Sequence, residues 1–313
     1  MTVMIYTITV NPAVDYHMDL TKSGLCPGQI NRSAKEELFP GGKGINVSVI
    51  LSRLGVNSIA WGFAAGKTGH LLEAIAKDLG CRCDFIYLPE GETRINVKLD
   101  CEQETAVNGT GPQIGKEQIC SLINRIEALT SSDTLVLSGN LPGSAEDLYL
   151  TICKICSERG IRFVVDAEGE ALHSTFPCRP FLIKPNQDEL LEMYHSEKGT
   201  EDEIISLMHR AQAEGAANVF VTLGGDGAIL LTEGGMLYRA VLEKKHPMVS
   251  TVGAGDSSIA GFLAGLERYD GDASKSMRLA CAAGSATAYR KWLATGAEIE
   301  AVMKDVCVKE YRT

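Results

Sequence analysis

The stretch TVGAGDSSIAGF, residues 251–262, joins a glycine-rich turn to the start of an apolar helix. Gly253, Ala254 and Gly255 would present backbone N–H groups and a helix N-terminus to developing negative charge. Asp256 follows at once, although a carboxylate there would repel a bound phosphate. It fits this position as a general base, because in phosphoryl transfer the attacking hydroxyl loses its proton beside the transferring group. For this stretch taken alone, an N-cap aspartate at a turn is the alternative.

Strand-like and helix-like segments alternate along the rest of the chain. VMIYTITV (3–10) is almost wholly apolar, as a strand buried on both faces is, and GINVSVILSRLG (44–55) has helical apolar spacing and stops at a glycine. This alternation predicts an α/β fold with a mostly parallel sheet covered by helices on both faces. The further strand and helix candidates are NSIAWGFAAG (57–66), TGHLLEAIAKDLG (68–80), TLVLSG (134–139), SAEDLYLTICKICSERG (144–160), IRFVVDAEG (161–169), FLIKPN (181–186), EDEIISLMHRAQAEG (201–215) and NVFVTLGGDG (218–227).

Two stretches, roughly 13–39 and 91–109, break this alternation. Both lack helical periodicity and contain short hairpin-like strands. Although they are far apart in sequence, we expect them to join into one small β-sheet lid over the strand ends.

The composition excludes several classes of partner. The 313 residues carry a formal charge of −10 with a pI of about 5.2, whereas nucleic-acid binding requires a basic face. No apolar run reaches the length of a membrane span, and MTVMIYTITVNP lacks the charged start and cleavage site of a signal peptide. We therefore expect neither a nucleic-acid nor a membrane partner, and any anionic ligand must be held by local donors.

The ten cysteines suggest thiols that pack in the core rather than a metal site. Cys153 and Cys156 form a CxxC within a predicted amphipathic helix, and no second CxxC or histidine pair completes a zinc set. Cys81 and Cys83 form the other close pair. We expect reduced cysteines and a cytoplasmic location.

FPGGKGINVSV, residues 39–49, is a glycine-rich turn that opens a helix but is not a P-loop. The P-loop pattern requires a glycine at the position of Glu37 and a hydroxyl residue at Gly44. Such a turn still lets the backbone come close to a ligand. A purely structural turn is the alternative.

TRINVKL, residues 93–99, alternates as a strand does. Arg94, Asn96 and Lys98 share one face, and the apolar residues between them share the other. Two cations and an amide in a row suit a sugar phosphate, because arginine offers a forked donor set to phosphate oxygens. A solvated strand face is the alternative.

IKPNQDELLEM, residues 183–193, places Lys184, Asn186 and Glu189 where a strand runs into a helix. Ligands of open α/β sheets bind at this edge, and Glu189 in the first helical turn is suited to hold magnesium directly or through water. A first-turn acid that favours the helix dipole is the alternative. TLGGDGA (222–228) repeats the glycine-rich strand end, with a hairpin turn as its alternative.

Two separated signatures, GGKGINVSVILSRLG and STVGAGDSSIAGF, together make the chain resemble the ribokinase-like (PfkB) carbohydrate kinases over essentially its full length. Within that family it resembles most the branch of 1-phosphofructokinases and tagatose-6-phosphate kinases. That likeness rests on TVNPAVD (9–15), NR (31–32), GGKGIN, TRINVKL, SGNLPGS (138–144), IKPN and STVGAGDS. Of these motifs, TRINVKL in particular favours the 1-phosphofructokinases over the tagatose-6-phosphate kinases.

The resemblance implies a single kinase domain, 1–313, with a three-layer α/β/α ribokinase-like fold whose β lid also forms a homodimer clasp. It implies ATP and Mg²⁺, with the γ-phosphoryl passing to a hydroxyl of a sugar phosphate. It also allows a monovalent cation, for which the sequence assigns no ligands. One departure is the charged RKW at 290–292, within AAGSATAYRKWLATG (282–296), which leaves the adenine contacts unassigned.

Carried over by position, the resemblance implies three groups of site residues. In the catalytic group, Asp256 is the base, Gly253, Ala254 and Gly255 form the anion hole, and Lys43 bridges substrate and γ-phosphate. The substrate group comprises Asp15, Gly41, Gly42, Asn46, Arg94, Lys98, Ser138 and, across the dimer, Arg32. The nucleotide group comprises Lys184, Asn186, Thr222, Gly224 and Gly227, with Glu189 as the metal ligand.

The leading hypothesis is transfer to the 6-hydroxyl of fructose 1-phosphate. Tagatose 6-phosphate, phosphorylated at its 1-hydroxyl, keeps the chemistry and changes the sugar. A neutral sugar acceptor is disfavoured, because it has no use for the cations Arg94 and Lys98. A binding protein that lost turnover is disfavoured by an intact Asp256, and a dehydrogenase by the lack of GxGxxG after the first strand.

Overall fold

The computed structural model describes residues 4–21, 24–103, 105–139, 141 and 147–311. A ten-stranded sheet runs through its centre. Its strands are β1 Ile5–Thr9, β4 Ser58–Ala65, β5 Ile86–Leu88, β8 Thr134–Ser138, β9 Arg162–Asp166, β10 Leu182–Ile183, β11 Asn218–Thr222, β12 Ala228–Leu231, β13 Leu237–Leu242 and β14 Val306–Tyr311. They lie in the order β14-β13-β12-β11-β10-β9-β8-β1-β4-β5. The strands from β5 to β11 are parallel, and β12 to β14 extend them in antiparallel fashion. The predicted mostly parallel α/β sheet is confirmed.

Helices cover both faces of this sheet. They are α1 Lys43–Arg53, α2 Gly66–Asp78, α3 Lys116–Glu127, α4 Leu148–Arg159, α5 Glu170–His173, α6 Gln187–Met193, α7 Glu201–Glu214, α8 Ala254–Arg268, α9 Ala273–Ala288 and α10 Gly296–Met303. Successive strand residues point to opposite faces, so Val136 of β8 joins a core with α1, α8 and α9. Its neighbour Leu137 joins a second core with α3, α4 and α7. This pattern explains why the strand sequences are apolar throughout.

A second sheet of four strands stands apart from the large one. Its strands are β2 Ala13–Asp19, β3 Lys35–Gly41, β6 Arg94–Asp100 and β7 Thr105–Asn108, in the order β3-β2-β6-β7. β2 pairs with β6 in parallel, whereas β3 and β7 are antiparallel additions. The two stretches that break the alternation thus meet in one small sheet, which β3 extends two residues beyond position 39. Its action as a lid stays a prediction.

The register of the small sheet separates a polar from an apolar face. Asp15 lies opposite Phe39 on one side and Asn96 on the other, so these three side chains share a face. Tyr16 lies opposite Leu38 and Val97 on the reverse face. The polar face carries the candidate sugar ligands.

Three parts of the chain differ from, or lie outside, the sequence-based expectations. The chain after 227 adds the hairpin β12–β13 and the edge strand β14, to which the sequence analysis assigned no strands. The charged RKW (290–292), to which no element was assigned from the sequence, lies in a loop after α9, which ends at Ala288. Of SGNLPGS, residue Asn140 and residues 142–144 lie outside the described part of the chain.

Candidate active site

A cleft of about 1110 Å³ opens at the carboxyl ends of the parallel strands. This is the edge at which open α/β sheets bind ligands. Most residues predicted for the site line it together, although they come from elements spread along the whole chain. These are Asp15, Gly42, Lys43, Asn46, Arg94, Ser138, Lys184, Asn186, Glu189, Thr222, Gly224, Gly227, Gly253, Ala254, Gly255 and Asp256.

Asp256 lies in the first turn of α8 and is almost fully buried, with 4% of its surface exposed. The N-cap of this helix is Gly253, so the alternative that Asp256 caps the helix is wrong. Instead its Oδ2 accepts a hydrogen bond of 2.8 Å from Nδ2 of Asn46 on α1. One oxygen is thereby held in place, and the carboxylate faces the cleft in a fixed orientation.

The pKa of Asp256 is tuned toward neutrality. Burial, above all, and the charge of Asp166 raise the pKa of its carboxyl to about 6. The Asn46 hydrogen bond and the cations Lys43 and Lys184 act in the opposite direction. A carboxylate with such a pKa is a stronger proton acceptor than an exposed aspartate and is still ionised at pH 7.

Two lysines flank a buried aspartate beside Asp256. Asp166, at the end of β9, is 3% exposed, and its carboxylate lies 3.3 Å from Nζ of Lys184 and 3.9 Å from Nζ of Lys43. Lys43 also lies 3.5 Å from the exposed Glu168. Burial lowers the pKa of Lys43, but the surrounding carboxylates, Asp166 first, outweigh it and raise the pKa above its ordinary value. The cleft therefore contains two lysine cations that can bind phosphate groups.

The glycine turn before α8 brings the backbone close to these cations. Gly253 has φ 75°, a left-handed conformation that favours glycine. A Cβ at Gly255 would lie 2.9 Å from Nζ of Lys184, so a side chain there would intrude on the lysine. The Ala254 N–H donates to the Thr251 carbonyl at 3.2 Å. Since the first amides of a helix lack partners within it, those of Gly255 and Asp256, two residues that line the cleft, remain available to a ligand.

The turn before α1 is equally close-packed. Gly42 has φ 134°, and a Cβ there would lie 2.5 Å from Cγ2 of Thr9. A Cβ at Gly41 would lie 2.7 Å from the carboxylate of Asp15. Gly41 therefore serves as packing space beside Asp15 and is not among the residues that line the cleft.

The polar face of the small sheet supplies the other end of the cleft. Asn96 donates to Asp15 Oδ1 at 2.7 Å, and burial raises the pKa of Asp15 despite that hydrogen bond and the charge of Lys98. Arg94 donates from Nε to the Asn11 carbonyl at 3.2 Å and from Nη1 to the Gly109 carbonyl at 3.4 Å. These backbone acceptors hold the guanidinium at the cleft wall.

Two further predicted substrate residues lie outside the cleft lining. Lys98 donates from Nζ to Oδ1 of Asn108 at 3.2 Å, and it is Asn108 that lines the cleft. Arg32 is exposed in the segment between β2 and β3. Asn108 was missed because its strand, β7, carries no motif of its own.

Two buried polar atoms of the cleft have no protein partner among the described residues: Oδ1 of Asn46 and Oγ of Ser138. Native proteins rarely leave such atoms unsatisfied. Both residues were predicted to bind substrate, and a ligand with hydroxyl or phosphate groups would supply the missing partners.

The nucleotide side is built from strand ends and short turns. Asn186 and Glu189 form a reciprocal capping box at the start of α6, with hydrogen bonds of 2.8 Å in both directions. The residues Gly224–Asp226 form a 3-10 turn within the β11–β12 hairpin. The hairpin alternative is therefore correct for this stretch, which lines the cleft as well.

The donor set fits magnesium held mainly by phosphate and water. Among the residues that the structure describes, no cluster of three or more His, Cys, Asp or Glu side chains could hold a metal ion. Mg²⁺ is usually bound through one or two carboxylates plus substrate phosphates. Glu189 uses Oε2 in the capping box and lines the cleft beside Asp188, so such a partial site fits.

The model of the pfkB family carbohydrate kinases matches residues 3–299. The chain belongs to this family. A 1-phosphofructokinase of Bacillus subtilis strain 168 is 38% identical over 309 residues, covering 97% of this chain and 99% of that protein. A D-tagatose-1-phosphate kinase of Bacillus licheniformis is 34% identical over 292 residues, covering 93% and 94% respectively. The structure of Escherichia coli phosphofructokinase-2 with substrates and products has a TM-score of 0.89 at 26% identity, covering 96% and 99%.

These comparisons confirm the resemblance stated from the two signatures, the ribokinase-like fold and the assignment as a carbohydrate kinase. The roles of the individual site residues stay predictions. The main residue of this pfkB kinase that the sequence analysis missed is Asp166. Its signal was an acidic residue directly after the apolar strand FVV in IRFVVDAEG. Such a residue at a parallel strand's carboxyl end faces the ligand edge.

Proposed function

We propose that this pfkB kinase transfers the γ-phosphoryl of ATP to the 6-hydroxyl of fructose 1-phosphate, giving fructose 1,6-bisphosphate and ADP. The observation that carries the proposal is the buried Asp256, held by Asn46 at the start of α8. It lies in a cleft with lysines near it and a backbone-held arginine at the sugar end. The choice of sugar phosphate rests on the likeness to the Bacillus subtilis 1-phosphofructokinase.

Asp256 acts as the general base. Its pKa of about 6 leaves it ionised at pH 7 and basic enough to accept the proton of the attacking hydroxyl. Asn46 holds Oδ2, so the other oxygen, Oδ1, is the proton acceptor. The unpartnered Oδ1 of Asn46 is available to accept a hydrogen bond from a sugar hydroxyl.

Negative charge on the transferring phosphoryl group is met by the start of α8 and by the lysines. The amides of Gly255 and Asp256 donate to it, and Lys43 and Lys184, which lie 3.9 Å and 3.3 Å from Asp166, place two cations near it. When bound with ATP, magnesium supplies charge neutralisation on the β- and γ-phosphates, and Glu189 with Asp188 would hold it. Most of the rate gain comes from positioning and electrostatics.

The existing phosphate of the sugar binds at the opposite end. Arg94 is pre-positioned by the Asn11 and Gly109 carbonyls, and Oγ of Ser138, which has no partner among the described residues, offers a further hydrogen bond. Asp15 binds sugar hydroxyls. A neutral sugar has no phosphate for Arg94 to bind, and burial already disfavours the charge of this half-buried guanidinium.

Tagatose phosphates are the second candidate. The Bacillus licheniformis relative is named a D-tagatose-1-phosphate kinase, and a 1-phosphate would bind in the orientation proposed for fructose 1-phosphate. Tagatose 6-phosphate would require the reverse orientation, with its 1-hydroxyl at Asp256.

The test is ADP release with Mg·ATP against fructose 1-phosphate, tagatose 1-phosphate, tagatose 6-phosphate, fructose 6-phosphate, fructose and ribose. We expect the highest kcat/KM for fructose 1-phosphate. A preference for a 6-phosphate would mean that the sugar binds in the orientation opposite to the one proposed. Turnover of fructose or ribose alone would contradict the proposed binding of a sugar phosphate by Arg94. No turnover of any of them would favour a binding protein.

We also propose a homodimer formed through the apolar face of the small sheet, defined by Leu38, Ile95 and Val107. These side chains are 41%, 43% and 61% exposed, and a second copy of the chain would cover them. Arg32 would then reach the partner's cleft. A monovalent cation stays a prediction.

For the cell compartment we propose the cytoplasm, because all ten cysteines are free thiols. No helix of the described residues is long and apolar enough to span a membrane.

A further inference from the structure

The loop YRKWLAT, residues 289–295, contacts the small sheet through two side chains. The ring of Trp292 stacks on Phe39 of β3, with centroids 4.9 Å apart and planes at 15°. Lys291 Nζ lies 3.3 Å from Oδ2 of Asp100, at the end of β6. The ion pair is largely exposed and contributes little, so the aromatic stack is the main contact.

The same loop is anchored to the start of the catalytic helix. Leu293 packs against Gly253, where an added Cβ would lie 2.6 Å from Leu293 Cδ2. Ala294 donates its N–H to Thr287 Oγ1 at 3.2 Å, and that hydroxyl is 2.8 Å from Oγ of Ser257, the residue after Asp256. A displacement of the loop would therefore also shift Gly253 and Ser257, which lie on either side of Asp256 in the chain.

Arg53, at the end of α1, fixes the loop backbone. Its Nη1 donates to the Leu293 carbonyl at 2.7 Å and to the Ala294 carbonyl at 2.9 Å. Its guanidinium carbon lies 5.1 Å from the ring centroid of Trp292, within the range of a cation–π interaction. The indole of Trp292 is thus in contact with both Arg53 of α1 and Phe39 of the small sheet.

Phe39 in turn lies directly opposite Asp15 in the register of the small sheet. Both side chains share the polar face, so a shift of β3 at Phe39 would also move the paired residue of β2, whose carboxylate is proposed to bind the sugar. Strand pairing and contacts thus connect Asp15 through Phe39, Trp292 and Leu293 to Gly253.

We infer that Trp292 is a positioning residue, which holds the sugar-binding face of the small sheet at a fixed distance from Asp256 by stacking on Phe39. The inference rests on the proposed function and adds to it. The residues proposed to bind the nucleotide, Lys184, Asn186, Thr222, Gly224 and Gly227, lie at the ends of β10 and β11 and in the turns after them, outside this loop and the small sheet. Loss of the stack should therefore weaken sugar-phosphate binding, leave ATP binding alone, and admit water as a competing acceptor.

A double-mutant cycle with Phe39→Leu and Trp292→Leu tests the coupling. We expect each single variant to raise KM for fructose 1-phosphate by roughly three- to tenfold, the range of an aromatic pair, with KM for ATP unchanged. The double variant should be no worse than the poorer single one. Trp292→Phe, which keeps a ring for Phe39, should restore most of the loss. Additive effects in the cycle, or an equal rise in both KM values, would overturn the inference.

A second readout is independent of the sugar. The chain has two tryptophans, and Trp61 in β4 packs on Tyr6 away from the cleft. Trp61→Phe should leave the kinetic constants unchanged and make Trp292 the single indole. In that background, Phe39→Leu should shift the emission of Trp292, and saturating fructose 1-phosphate should perturb it.

The two proposals fail in different ways. If the wild-type enzyme turns over no sugar phosphate, the proposed function is wrong, while the emission difference between Trp61→Phe and Trp61→Phe/Phe39→Leu still reports the stack. Identical emission spectra of those two proteins would overturn the positioning role, whatever the enzyme phosphorylates.

Discussion

At the scale of single residues, the site depends on the carboxylate of Asp256, whose burial lowers the stability of the folded protein at neutral pH. Asp256 is buried beside a second buried carboxylate, Asp166, and a hydrogen bond from the neutral amide of Asn46 reaches it directly. Its raised pKa means that the folded protein binds this proton more tightly than the unfolded chain does. The contribution to stability is therefore full below the ordinary pKa of 3.8 and is lost as the pH rises to about 6.

Replacing Asp256 with asparagine should therefore have opposite effects on activity and stability. The new amide oxygen can still accept the hydrogen bond from Asn46 but cannot take a proton, so kcat should fall by at least about 10²-fold. Without the buried charge, the free energy of unfolding at pH 7 should rise by up to about 3 kcal/mol. Kinetics and denaturant unfolding measure both. Near-normal kcat would exclude Asp256 as the base, and calorimetric titration with sugar phosphate verifies that binding remains.

The pH profile tests the electrostatic role of Asp166. The acid limb of kcat/KM should follow the ionisation of Asp256, with an apparent pKa of about 6. The charge of Asp166 raises that pKa, so Asp166→Asn should move the acid limb to lower pH, whatever the change in the maximal rate. The matched control is Glu168→Gln, since Glu168 also pairs with Lys43 but is exposed and should leave the limb in place. An unmoved limb in Asp166→Asn would contradict the assignment.

At the scale of elements, the site is assembled where α1 and α8 begin. Gly42 precedes α1 with φ 134°, and its missing Cβ is the space that Thr9 occupies. Thr9 Oγ1 is itself held, since it accepts the Ile45 N–H at 3.1 Å. The helix that carries Lys43 and Asn46 therefore starts in only one position relative to β1.

Gly42→Ala should shift the start of α1 and lower both stability and kcat/KM. Gly55→Ala is the matched control, because Gly55 follows the same helix with φ 80° but has open space around it. The control should lose roughly 1–2 kcal/mol through backbone strain alone, whereas Gly42→Ala should lose clearly more. Denaturant unfolding measures the difference. Equal losses would mean that Thr9 yields and the turn is not a constraint.

At the scale of the whole molecule, the two faces of the small sheet have different surroundings. Its polar face meets the cleft, and its apolar face exposes Leu38, Ile95 and Val107. The apolar face of a sheet is usually buried against a core or a partner, and a second copy of the chain provides the cover in the proposed homodimer.

Ile95→Glu should therefore convert a dimer into monomers, because it places a charge on the apolar face. Met236→Glu is the control, as Met236 is a similarly exposed apolar residue (37%) on the β12–β13 turn. Light scattering after size-exclusion chromatography gives the masses. A wild-type protein that is already monomeric at the chain mass of 33.6 kDa would refute the dimer.

Local pattern alone determined much of this protein. The helices and strands that flank the cleft follow from apolar spacing and glycine stops. Because parallel strands end at one edge, most of the motif residues were expected to meet there. TRINVKL likewise determined which side chains share a face, since strand alternation is a property of the backbone.

Only the tertiary structure decided which groups lie within bonding distance. Asn46 and Asp256 are 210 positions apart. Asp166 at the end of β9 lies near both Lys43 of α1 and Lys184 after β10, and Trp292 stacks on Phe39 of the small sheet. Lys98 lies on the polar face of the small sheet, but it donates a hydrogen bond to Asn108, and it is Asn108 that lines the cleft. Periodicity specifies the direction of a side chain relative to its own element. Distances between elements depend on packing and sheet register, which involve the whole chain at once.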